Sequence, residues 1–121
     1  MPISAALRLW APVALWAAVI FAFSSIPSLG TGLGTWDLVL RKIAHATEFA
    51  ILAALLVRAL RHMGWAIAIA IAYAVSDEIH QSFVSGRQAS PWDVGIDSVG
   101  VVIGAVLASR RWRDDPSGLA G

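Results

Sequence analysis

At 121 residues the chain has room for one domain, but 14% charged residues, 58% hydrophobic residues and a mean hydropathy of +0.71 exclude a water-soluble one. A soluble domain of this size carries about a quarter charged residues and leaves much of its chain at the surface. The absence of cysteine excludes disulfides and thiolate metal sites, while the net charge of +1 says little as a sum and gives no reason to expect a nucleic-acid partner.

A lipid solvent removes the conflict. The expectation is an all-α membrane protein, a bundle of four transmembrane helices forming one domain over residues 1–109, with a charged tail at 110–121. The first helix, about residues 8–26, contains an uncharged run from Leu9 to Phe23 behind Arg8. Such a run followed by Ser24 and Ser25 also fits a signal peptide, but the further spans behind it favour a retained helix. The segment PSLGTGLGTWD, Pro27 to Asp37, is rich in helix-punctuating residues and reads as an interfacial loop.

The second helix, about 38–61, has a polar first part (Arg41, Lys42, His45, Thr47, Glu48) and an apolar second part, whose Arg58 and Arg61 are expected to snorkel. The third, about 64–83, includes AIAIAIA, which alternates as a strand does, but the length of the surrounding apolar run decides for helix. After the loop VSGRQASPW, Ser90-Pro91-Trp92-Asp93 reads as an N-cap, a first-position proline and a first-turn acid opening the fourth helix, about 91–109. The tail RRWRDDPSGLAG is expected to fray in water.

Of the six tryptophans, Trp10, Trp36, Trp65 and Trp92 lie near the expected helix ends, where indole favours the headgroup region, while Trp16 and Trp112 fit that belt less well. Four spans place Arg8, Arg58, Arg61, Arg110, Arg111 and Arg113 on one side and Arg41, Lys42 and Arg87 on the other. The Lys/Arg excess puts both termini in the cytoplasm and the polar helix ends outside.

At about 100° per residue, Lys42, His45 and Phe49 share one face of helix two, Tyr73, Asp77, His80 and Gln81 lie within one arc of helix three with Glu78 beside it, and Asp93, Asp97, Gly100 and Gly104 form a strip on helix four. Ionisable groups in hydrocarbon face the bundle interior and pair, so Lys42 or Arg87 is expected to meet Asp77, Glu78, Asp93 or Asp97. Plainer roles compete at each position. Asp93 suits a capping box, Gly100 and Gly104 suit close helix packing, and Tyr73 and Phe49 suit packing. His45 and His80 suit structural hydrogen bonds, His62 suits solvent, and Arg41 with Glu48 suits a surface ion pair.

These residues also carry a resemblance. RKIAHATEF in helix two, followed by SDEIHQSFVSGRQASPWDVGIDSVGVVIG, resembles the VanZ-like family, named for a teicoplanin-resistance accessory protein, from about Arg41 to Gly104. The motif positions are Lys42, His45, Asp77, Glu78, His80, Gln81, Arg87, Asp93, Asp97, Gly100 and Gly104. Ser85 stands where the family often has Pro, and Asp97 where Asn is common. The resemblance implies a multi-pass protein of the bacterial plasma (inner) membrane with a role in the cell envelope and a link to glycopeptide antibiotic resistance, and it names no reaction.

Three functions compete. In the first, an extracytoplasmic polar pocket of Lys42, His45, Asp77, Glu78, His80, Gln81, Arg87, Asp93 and Asp97 binds an anionic envelope lipid headgroup, a lipid-linked precursor or a glycopeptide; Arg87 serves as a bidentate donor and Lys42 as a point charge. In the second, a membrane enzyme acts on a lipid-linked phosphate or ester, with Asp77, Glu78, His80 and His45 as acid/base candidates and Asp77 and His80 as candidates for a divalent ion. No serine or cysteine nucleophile motif is evident and the set is no standard zinc signature, which leaves the cofactor open, with none at all as one alternative. In the third, the polar groups are a buried network that fixes register, in a homo-oligomer assembled through Gly100 and Gly104.

Overall fold

The structure, a computed structural model, describes residues 3–25, 35–83 and 91–113. Among them are four helices, α1 (Ile3–Ser24), α2 (Thr35–Leu60), α3 (Met63–Gln81) and α4 (Pro91–Arg113). Three stretches, Ile3–Ser24, Val39–Leu60 and Trp92–Arg111, are long and apolar enough to cross a membrane. α3 has nearly their length, but Asp77, Glu78, His80 and Gln81 crowd its last turns.

The joint between α2 and α3 uses two residues and no glycine. Arg61 takes a left-handed conformation, φ 56°, and its N–H donates to Val57 O at 2.7 Å, closing α2. His62 is extended, and its Nδ1 accepts from Trp65 N–H at 3.0 Å, so it caps α3 rather than merely sitting in solvent. At the other end of the chain α4 continues past Ser109 to Arg113. Arginine is a good helix former, and Arg110, Arg111 and Arg113 extend the helix instead of starting a frayed tail.

The helices alternate in direction. Ala17 and Ser24 of α1 meet Tyr73 and Gln81 of α3, so α1 and α3 run parallel. Ala46 and Ala50 of α2 lie against Gly100 and Gly104 of α4, so α2 and α4 run parallel, opposite to the other pair. A methyl group on Gly100 would sit 2.2 Å from Ala46 O, and one on Gly104 would sit 2.1 Å from Ala50 O. The two backbones are therefore in direct contact, as small residues permit between helices in lipid. This glycine strip is used within the chain, which leaves it closed to the oligomer contact considered above.

α1 packs on α2 and, less, on α3, and makes no contact with α4 among the described residues. The core is formed by Phe49, Leu52, Ala53, Leu56 and Val57 of α2, an alanine stripe at Ala66, Ala70 and Ala74 of α3, Val101 and Ala105 of α4, and Ile20 of α1. Large apolar side chains including Leu15, Phe21, Ile43, Ile69, Ile103 and Leu107 cover the outside. That is the surface lipid requires and water opposes.

Candidate functional site

The alternating directions bring the C-terminal ends of α1 and α3 together with the N-terminal parts of α2 and α4. All the described carboxylates lie in this half of the bundle or, for Glu48, at the middle of α2.

At the rim, Lys42 Nζ is ion-paired with Asp93 Oδ1 in the first turn of α4, with the two side chains 33% and 23% exposed. One turn deeper, His45 Nδ1 lies 4.0 Å from Asp97 Oδ1, whose side chain is 4% exposed. These pairs arise because the strip of Asp93, Asp97, Gly100 and Gly104 lies along the α2 face bearing Lys42, His45, Ala46 and Ala50. At four ångströms the His45–Asp97 contact is electrostatic rather than a hydrogen bond, and Asp97 Oδ1 has no hydrogen-bond partner among the described residues.

α3 supplies the floor. Gln81 is buried, and its Nε2 lies 3.4 Å from each of Ser24 Oγ, His45 Nε2 and Asp77 Oδ2. An amide nitrogen has two hydrogens for these three neighbours, and every separation is long, so Gln81 Nε2 cannot donate well to all three. Below it Tyr73 donates to Ala17 O at 2.6 Å and its ring packs on Phe49 with centroids 6.1 Å apart. Phe49, Ile20 and Leu52 close the polar region off from the opposite end of the bundle.

The structure thus gathers Lys42, His45, Asp77, Gln81, Asp93 and Asp97. It turns His80 elsewhere: its Nε2 is 2.9 Å from Ser25 Oγ and its ring stacks on Phe21 at 4.3 Å, both on α1. Asp77 and His80 therefore face different neighbours. Glu78 is half-buried on the adjoining face of α3. Arg87, Ser85 and Ser90 lie outside the described residues, as does most of the segment from Pro27 to Asp37. No group of three or more His, Asp or Glu side chains that could hold a metal ion occurs among the described residues.

Reading the sequence overlooked α1. Ser24 is fully buried and Ser25 bonds His80, while Trp16 Nε1 donates to Glu48 O at 2.9 Å, tying α1 to α2 from within instead of joining an interfacial belt. The available signal was positional: two serines ending an apolar run reach the same level as the end of α3 when spans alternate.

The sequence model of the VanZ/LLP1 family matches residues 9–112, which takes in most of α1 and almost all of α4 as well as the motif segments. No curated protein and no solved structure matches the chain.

Proposed function

Because the chain belongs to the VanZ/LLP1 family, we propose that it is a four-span protein of the bacterial plasma membrane whose outward polar end engages the headgroup of an anionic envelope lipid. The parallel course of α2 and α4 supports the fourth span. Two spans crossing in the same direction need a return crossing between them, and α3, with 19 residues, is about 28 Å long, close to a hydrocarbon core of about 30 Å. The arginines at 8, 58, 61, 110 and 111, all on the opposite end, support a cytoplasmic placement of both termini.

The observation that carries the reading is Lys42. It is a third exposed, held by Asp93 at the rim, and backed one turn deeper by Asp97, whose buried Oδ1 has no hydrogen-bond partner among the described residues. A phosphate arriving from the headgroup layer can share or displace Asp93, while His45 and Gln81 receive hydroxyls or ester oxygens beneath. Arg87 is the second cation of the motif and completes the anion site in this reading. A glycopeptide at the membrane surface would meet the same end, so a contribution to teicoplanin resistance is read from the susceptibility of cells with and without the gene. The direct test is mass spectrometry of lipids retained by purified protein. Lys42→Ala is expected to retain less anionic lipid than wild type, and equal retention would remove the proposal.

One observation favours a catalytic alternative. An imidazole with Nδ1 toward a buried carboxylate, as in His45 and Asp97, is the arrangement of an oriented general base. If that is its role, Asp97→Asn slows hydrolysis of a lipid-linked phosphate far more than it lowers lipid retention. Unchanged turnover on every such substrate would exclude it.

A further inference from the structure

The end of the bundle opposite the polar site is basic. α2 and α4 finish there, and α1 and α3 begin there. Arg58, in the last turn of α2, was expected to snorkel along lipid; instead it is only 7% exposed, and its Nε is buried with no hydrogen-bond partner among the described residues. Guanidinium stays charged at any physiological pH, so its burial calls for an anion. The described acids do not supply one, since Glu48, Asp77, Glu78, Asp93 and Asp97 all lie at the middle of the bundle or toward the other end.

Its neighbours are basic as well. Ala46 lies against Gly100 and Ala50 against Gly104. Carried two turns further, this register sets Arg58 level with the last turn of α4, where Arg110 and Arg111 are exposed. Arg61 is exposed in the left-handed turn just beyond, and Arg8 of α1 is exposed at the same end. In a membrane-spanning bundle these helix ends lie at the depth of the phospholipid phosphates, and basic recesses between helices at that level suit phosphate-bearing headgroups.

We propose that Arg58, with Arg61 and Arg111, forms a second lipid site, in which the phosphodiester of an anionic phospholipid seats between the ends of α2 and α4. Arg58 contributes the planar fork that matches phosphate, and the exposed arginines contribute the surrounding positive field. The site is separate from the one at Lys42 and does not depend on it, because the apolar layer of Phe49, Leu52 and Ile20 lies between the two ends.

The experiment uses the full chain carrying Lys42→Ala, so that the outward site contributes nothing, in nanodiscs of phosphatidylcholine with or without phosphatidylglycerol. Phosphatidylglycerol is expected to raise the melting temperature. In native mass spectrometry it should be retained about fivefold more than in the same chain with Arg58→Gln, the factor one basic residue near a membrane surface typically provides. Equal retention in the two chains overturns the proposal. If Arg58→Gln fails to fold, the lipid comparison decides alone, and no preference for phosphatidylglycerol over phosphatidylcholine overturns it. Two further arms separate other anions. Stabilisation by inorganic phosphate equal to that by phosphatidylglycerol would assign a free ion rather than a lipid. A phosphatidylglycerol effect that is absent with the native tail and appears only with Asp114→Asn and Asp115→Asn would overturn the proposal and assign the chain's own tail as the anion at Arg58.

Discussion

Lys42 and Asp93 are both partners and competitors. Asp93 holds Lys42 at the rim, so the carboxylate that steadies the ammonium is also the group an incoming phosphate has to share or displace. Removing the charge with Asp93→Asn is therefore expected to raise anionic-lipid retention above wild type, by a few-fold if a charge-assisted contact of about 1 kcal/mol is released. Retention that falls in Asp93→Asn would mean the ion pair itself is the recognised feature. Tyr73 makes a different sort of contribution. Its hydroxyl ties α3 to Ala17 O, so Tyr73→Phe is expected to cost about 1 kcal/mol of stability, read in thermal unfolding, without altering lipid retention. At this scale periodicity identified which residues share a face, and Lys42, His45, Asp77, Gln81, Asp93 and Asp97 do converge. It could not say which neighbour each would meet. His80 and Gln81 are adjacent in sequence and on nearby faces, yet one serves α1 and the other the centre of the bundle, because packing of α1 decides the partition.

Among the helices, α2 and α4 form the pair on which the others depend. Gly104→Ala forces a methyl into Ala50 O and pushes the two backbones apart. A destabilisation of about 2–3 kcal/mol is expected, together with loss of the Lys42–Asp93 and His45–Asp97 pairs further along the same seam. A Gly104→Ala protein that unfolds like wild type would show that the helices are not in this contact. The α2–α3 joint offers a second test. A left-handed residue at position 61 disfavours β-branched side chains, so Arg61→Val is expected to lose about 1–2 kcal/mol, whereas Arg61→Gly is tolerated. The apolar runs made α1, α2 and α4 legible from length alone, because no other arrangement hides so much hydrocarbon. Less legible were the ends. The αL–extended joint at Arg61 and His62 carries no glycine signal, and the arginines after Ser109 look like a tail until helix propensity is weighed against their charge.

The whole molecule has two ends of opposite character joined by an apolar bundle. The chain has no cysteine, so single substitutions report sidedness without background. Ser25→Cys, exposed at the polar end, is expected to react with a membrane-impermeant maleimide added outside intact cells, whereas Met63→Cys, exposed at the basic end, reacts only after the membrane is opened. The reverse pattern would invert the orientation. Composition made the membrane setting legible, and the motif residues made the polar end legible. The buried state of Arg58 was not, because it depends on how closely α4 approaches α2, a property of two glycines on another helix. Whether the polar end holds an anionic headgroup through Lys42 is read by quantifying anionic lipid bound to wild type, Lys42→Ala and Asp93→Asn purified side by side. Most lipid is expected on Asp93→Asn, less on wild type and least on Lys42→Ala; equal amounts on all three would mean that Lys42 does not hold the headgroup.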